Sequence, residues 1–128
     1  DNIHTSWLFD RIMGLTSQVN REYFQFDIHS LEPIQVLKYE NSGFYSWHTD
    51  LGDIGLSTRK ISIIVFLSKR SDYEGGELQF SPNVTHSSAP CEQGSALVFP
   101  SYLLHQVTPV TWGLRYTMVT WAHGNCFH

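Results

Sequence analysis

Cysteine is scarce in this sequence: Cys91 and Cys126 are the only two, they lie far apart, and they form no Cys-x-x-Cys pair. That excludes a disulfide framework and a thiolate zinc site, and it makes a reducing, cytoplasmic setting the expectation. Positive charge is also scarce. Eight Lys and Arg against twelve Asp and Glu leave a formal charge of -4 with no basic cluster. A phosphate-backbone footprint is therefore not expected, and neither is nucleic acid as a partner. No apolar run approaches the roughly 20 residues that span a bilayer, and no signal-like apolar segment precedes the first polar residues, so no membrane partner is expected. Asn83-Val84-Thr85 has the form of a glycosylation acceptor, but such triplets arise by chance and carry no weight without secretion.

What is present suits a packed fold. The chain has 128 residues, 41% hydrophobic and 14% aromatic, enough for one domain over 1–128 with a real core and no room for a second. Trp7, Leu8, Ile12, Leu15 and Val19 recur at near-helical spacing behind Thr5 and Ser6 as candidate caps, which predicts an amphipathic helix over 6–19. After it, short runs rich in Val, Ile, Phe, Tyr and Thr alternate with Gly, Pro, Asn and Ser, the rhythm of an all-β chain. The runs are 23–28, 34–39, 44–50, 60–67, 77–80, 96–99, 104–107 and 114–121. Eight short strands in so small a chain predict two packed sheets, a jelly roll, with the helix against one of them. Leu51–Thr58 and Lys69–Gly75, polar or Gly-containing, are the connections expected to move and to border a site.

Three residues stand out as metal ligands. His48 and Asp50 lie two apart in a predicted strand, where alternate side chains share a face, so an imidazole and a carboxylate converge. His105, at the start of a distant strand, supplies a third ligand. Two neutral imidazoles and one carboxylate on one face of an octahedron suit Fe(II) and leave three positions open for a bidentate co-substrate and dioxygen. The same ligands also take Zn(II) or Mn(II), so ligand type alone leaves the metal open. Arg115 follows His105 by ten residues and shares one strand face with Thr117, Val119 and Trp121. An inward arginine is costly unless it meets an anion, and its planar fork suits the far carboxylate of a dicarboxylic co-substrate. An internal salt bridge and an outward orientation are the alternatives.

Tyr39, then His48-Thr49-Asp50, then Asp72-Tyr73-Glu74-Gly75-Gly76-Glu77-Leu78, then Phe99-Pro100, His105, Pro109 and Arg115 occur in an order that resembles the Fe(II)/2-oxoglutarate dioxygenases of the prolyl 4-hydroxylase type. The resemblance runs from about Gln35 to Trp121, and the ordered set is far more specific than any one part. It implies a double-stranded β-helix, iron held by His48, Asp50 and His105, and 2-oxoglutarate held by Arg115, with Tyr39 lining its pocket and Thr117 facing it. It further implies hydroxylation with dioxygen, coupled to decarboxylation of 2-oxoglutarate to succinate, with ascorbate as a candidate reductant. Tyr45, Arg59 and Trp121 match residues that handle substrate in the prolyl hydroxylases, which points to a peptide or protein substrate. A free amino acid or small metabolite, and a non-catalytic metal-binding module, are the competing readings. Trp47, with Tyr45 and Trp121, is expected at the mouth of the barrel. Asp50 favours hydroxylation, because halogenating relatives lose that carboxylate. Phe66 departs from the pattern: some relatives place there a tyrosine whose hydroxyl helps hold the co-substrate. The remaining histidines, His4, His29, His86, His123 and His128, are expected to be surface or satisfied polar residues.

Overall fold

A computed structural model describes residues 6–52, 58–81 and 91–125. Among the described residues the order of elements is one α-helix, α1 (Ser6–Val19), then ten strands: β1 (Ile28–Leu31), β2 (Gln35–Tyr39), β3 (Tyr45–His48), β4 (Arg59–Phe66), β5 (Tyr73–Gly75), β6 (Leu78–Phe80), β7 (Ala96–Pro100), β8 (His105–Val107), β9 (Val110–Gly113) and β10 (Arg115–Gly124). The main sheet runs β1-β10-β4-β7, with β2 also paired to β10; a second sheet runs β3-β8-β6, and β5 pairs with β9. All these pairings are antiparallel. This is the expected jelly roll with an N-terminal helix.

The main sheet buries both faces, and the period-two alternation of β4 shows how. Ile61 and Ile63 join Ile12 of α1 and Ala122 of β10 in one apolar cluster, with Leu8, Phe24, Phe26, Val65 and Val98 packed at its edge. The intervening residues turn the other way. Phe66 joins Tyr39, Tyr73, Leu78, Val107 and Val110 in a second cluster between the sheets, against which Leu37, Ile64 and Leu97 pack. Strand alternation thus separates a helix-covered face from a face that looks onto the second sheet.

The structure corrects several expected boundaries. A strand over 23–28 does not form: the helix continues through one wide turn, Asn20–Phe24, and stops at Gln25 in the left-handed conformation (φ 56°). Asn20 causes the stop. Its amide donates to the Phe26 carbonyl and accepts from the Phe26 N–H, both at 2.8 Å, which bends the chain back on the helix end. The strand begins only at Ile28, and Tyr23 stays 73% exposed. β3 closes at His48, so Asp50 lies beyond the strand rather than inside it. β10 is longer than expected, and β1, β5 and β9 are additional. Much of Lys69–Gly75, expected as a loop, is a short 3-10 turn at Arg70–Asp72 leading into β5. Here glycine is essential: Gly75 and Gly113 have φ of +73° and +81°, and a Cβ on either would collide with the carbonyl of Pro109 or Asp72. Positions 53–57 of the other expected mobile connection lie outside the described residues, as does Asn83-Val84-Thr85. No helix among the described residues is long and apolar enough to cross a membrane.

Candidate metal centre

His48 ends β3 and His105 begins β8, and the two residues face each other as cross-strand partners. The antiparallel ladder therefore sets their spacing, with ring centroids 4.3 Å apart. Asp50 reaches the same point by a different route from strand alternation. Its backbone N–H donates to the Ser101 carbonyl at 3.0 Å, turning the chain after β3 so that the carboxylate points back at both rings. Oδ1 lies 3.3 Å from His48 Nε2 and 3.5 Å from His105 Nε2.

The hydrogen bonds around the three residues orient them for a cation. Nδ1 of His48 lies 2.6 Å from the Ser46 carbonyl and Nδ1 of His105 lies 2.8 Å from the Leu103 carbonyl. A carbonyl can only accept, so Nδ1 carries the proton in each ring and Nε2 presents a lone pair. Asp50 Oδ2 accepts from the Ser62 hydroxyl at 2.5 Å and from the Trp121 indole N–H at 2.9 Å, which leaves Oδ1 to face the histidines. Ser62 in turn pairs with the Ser101 hydroxyl at 3.0 Å, both wholly buried. Among the described residues this is the group of His, Cys, Asp and Glu whose ligand atoms converge, all within 4.8 Å of one another. Two lone pairs aimed at one carboxylate oxygen repel each other without a cation between them, so the donor set fits a divalent metal.

The proton affinities follow from burial and neighbours. Burial would raise the Asp50 pKa, but the neighbouring His48 ring and the hydrogen bonds from Ser62 and Trp121 outweigh it and hold the carboxyl at about 2. Burial lowers His48, yet the Asp50 carboxylate and the Ser46 carbonyl bring it above its ordinary value. His105 is more deeply buried, and burial keeps it below its ordinary value despite Leu103 and Asp50.

A cavity of about 460 Å³ opens over the three ligands, lined by Tyr39, Tyr45, Arg59, Ile64 and Trp121 among others. Tyr45 stacks on the His48 ring at 3.8 Å, and Phe99 packs edge-on against His105. Trp47, expected at the mouth, is 40% exposed and is not among the residues that line the cavity. Deeper in the fold lies Arg115, 2% exposed, with Nε and Nη1 both without a hydrogen-bond partner. It does not line the cavity itself. It sits behind Tyr39, the residue opposite it on β2, with its guanidinium carbon 4.9 Å from the Tyr39 ring and 5.9 Å from Phe66. Burial raises the Tyr39 pKa, so its phenol stays protonated. Thr117, the next residue on that face of β10, is buried opposite Leu37 and Phe66. Neither an internal salt bridge nor an outward orientation accounts for Arg115, and its orphaned N–H groups fit an anionic co-substrate.

Arg59 stands at the cavity wall with its guanidinium 3.8 Å over the Trp121 ring, and it is held by Glu32, a residue without any evident motif in the sequence. His123 is a satisfied polar residue, its Nε2 donating to Glu32 at 2.8 Å, and His29 is an exposed partner of Asp27. His4, His86 and His128 lie outside the described residues. Sequence reasoning also passed over Ser62 and Ser101. The available signal for Ser62 was a lone hydroxyl inside the apolar run Ile61-Ser62-Ile63-Ile64-Val65-Phe66.

Frame and centre together define a jelly roll in which two histidines and one carboxylate converge as a candidate metal site. The chain belongs to the 2OG-Fe(II) oxygenase superfamily, whose family model matches residues 34–123. It is similar to a PKHD-type hydroxylase of Delftia acidovorans, 36% identical over 102 residues covering 71% of this chain and 45% of the relative. One from Alteromonas mediterranea is 37% identical over 90 residues, 66% of this chain and 40% of the relative. The chain thus spans less than half the length of these relatives. Among solved structures, a Pseudomonas putida prolyl-4-hydroxylase superposes with a TM-score of 0.77 at 19% identity, covering 98% of this chain and 67% of that one. A Trichoplax adhaerens prolyl hydroxylase, solved with a hypoxia inducible factor peptide fragment, gives 0.76 at 21% identity, covering 93% and 56%. At such identities the likeness bears out the fold.

Proposed function

We propose that this chain is an Fe(II)- and 2-oxoglutarate-dependent hydroxylase of prolyl residues in a peptide or protein, coupled to decarboxylation of 2-oxoglutarate to succinate. The observation that carries this reading is the buried Arg115, whose unpaired Nε and Nη1 lie behind the wall of the cavity that holds His48, Asp50 and His105. A cation left unpaired at that depth is costly, and a carboxylate removes the cost. His48 Nε2, His105 Nε2 and Asp50 Oδ1 would hold the iron. Arg115, with the protonated Tyr39 phenol and the Thr117 hydroxyl, would hold the co-substrate. Bound iron with 2-oxoglutarate and dioxygen supplies the oxidising chemistry; ascorbate as reductant and a reducing, cytoplasmic setting belong to the same proposal.

The protein's own residues position and shield. Trp121 and Ser62 fix the Asp50 carboxylate, and Tyr45 braces His48 from the side open to solvent. The exposed aromatic Tyr45, which lines the cavity, offers flat apolar surface to a pyrrolidine ring. Support for a prolyl substrate comes from this residue, from Arg59 and Trp121, and from the prolyl hydroxylases that share the fold. The deciding assay is succinate formation with Fe(II), 2-oxoglutarate and dioxygen, set against an Asp50→Ala protein. Wild-type turnover at least about a hundredfold above the variant is expected; equal rates would reduce the chain to a non-catalytic metal-binding module. Mass spectrometry for a gain of one oxygen, run on proline-containing peptides and on free amino acids, then separates the prolyl reading from a small-metabolite one.

A further inference from the structure

Arg59 is the cationic side chain at the cavity wall, and the structure shows how its charge is used. Glu32 follows β1 directly and is anchored to β10 by its backbone: its N–H donates to the Trp121 carbonyl at 2.9 Å, and its carbonyl accepts from the Thr120 hydroxyl at 2.7 Å. Its carboxylate takes two N–H donors of Arg59, Nε at 2.6 Å and Nη2 at 3.0 Å. His123 Nε2 donates to the same carboxylate at 2.8 Å, and Nδ1 of that ring lies 2.7 Å from the Thr58 hydroxyl. Both partners are mostly enclosed, with 13% of the Arg59 side chain and 21% of the Glu32 side chain exposed. The clamp holds the guanidinium 3.8 Å over the Trp121 ring, whose indole N–H donates to the Asp50 carboxylate. One nitrogen remains: Nη1 makes only a long contact, 3.4 Å, with the Asp50 carbonyl.

We infer that Glu32 is a specificity-determining residue: by neutralising Arg59 and occupying its fork, it makes this wall select a neutral carbonyl, as in a peptide bond, over a carboxylate. A bare arginine beside the metal site would take a carboxylate bidentately, as a free amino acid offers. Here the Nε/Nη2 edge is filled, and a carboxylate approaching Nη1 would meet the charge of Glu32, whereas a single amide carbonyl needs only the Nη1 donor that is not turned to Asp50. This deepens the proposed function, since it rests on substrate entering the cavity that Arg59 and Trp121 line and names the chemistry admitted there.

The test is a pair of NMR titrations on the protein with Zn(II) and 2-oxoglutarate, following the Arg59 Nε–H and Trp121 indole N–H resonances. The probes are N-acetyl-L-prolinamide against N-acetyl-L-proline, and N-acetyl-L-alaninamide against N-acetyl-L-alanine. In the wild type the amide of a pair binds at least about tenfold more tightly than the acid. Glu32→Gln closes the gap by strengthening acid binding, and Glu32→Asp, which keeps the charge, preserves a preference for the amide. Equal affinity for amide and acid in the wild type overturns the inference, as does a gap unchanged in Glu32→Gln or a failure of every probe to move the Arg59 signal. The wild-type comparison decides independently of whether a variant folds. Amide preference without proline preference sinks the prolyl reading and leaves the role of Glu32 standing.

Discussion

Arg115 holds a full charge at 2% exposure with two of its nitrogens unpaired, so its contribution should appear in co-substrate binding rather than in metal binding. Arg115→Ala is expected to weaken 2-oxoglutarate affinity about a hundredfold, about 2.7 kcal/mol. Metal affinity measured by competition with a chelator should stay nearly intact; loss of metal instead would make Arg115 a structural residue. Ser62 predicts the opposite pattern. Its hydroxyl is one of two donors to Asp50 Oδ2, and Ser62→Ala should reduce metal affinity roughly tenfold with little effect on the 2-oxoglutarate KM. These two residues also mark the limits of reading the sequence. Arginine on the inward face of a strand announces a need for an anion through residue type and strand periodicity, whereas the His48, Asp50 and His105 trio announces a candidate metal site through residue type alone, since β3 stops at His48 and the turn after it aims Asp50. Ser62, Ser101 and Glu32 carry no such signal. Serine and glutamate are ordinary on any surface, and only the tertiary fold brings them to Asp50 and Arg59.

Strands β5 and β9 escaped sequence reading along with β1, and the reason for these two is their glycines. Gly75 and Gly113 depress strand propensity, yet they allow these backbones to approach closely. Gly76, next in line, acts on the site. Its φ is +59°, and a Cβ there would stand 2.8 Å from Val110 Cγ2 and 2.9 Å from Arg115 Cδ. Gly76→Ala is therefore expected to cost about 1–2 kcal/mol of stability through the left-handed backbone. It should also raise the 2-oxoglutarate KM by about tenfold by displacing Arg115; a urea denaturation midpoint and a succinate assay check the two effects separately. At the helix end the same limitation had the opposite outcome. Tyr23, Phe24 and Phe26 have strand-like propensity, but the Asn20 amide bracketing the Phe26 peptide keeps the chain out of the sheet until Ile28. Long, strongly patterned elements such as α1, β4 and β10 were legible because burial enforces their periods. Short elements set by one side-chain hydrogen bond or one glycine were not.

Across the whole molecule, Glu32 ties the end of β1 to β10 and, through Arg59, to β4, so its ionisation is coupled to folding. Burial would raise its pKa, but Arg59 and His123 bring it below the ordinary 4.5. A lowered folded pKa means that the contribution is complete above the unfolded value, about pH 4.5, and is lost as the pH falls through the lower folded value. Urea midpoints followed from pH 7 to pH 3 should fall along that limb, and Glu32→Gln should flatten it by about 1 kcal/mol. An equally steep limb in the variant would assign acid sensitivity to other carboxylates. The pairing of His48 with His105 across β3 and β8 has a consequence for the order of events when the chain folds. His48 and Asp50 are neighbours along the chain, but His105 arrives from far downstream, so the three-ligand site does not exist until the second sheet has closed on itself. An ion added to the unfolded chain finds at most a two-residue chelate. Capture of the metal at full affinity therefore times the late, long-range step of assembly rather than its nucleation.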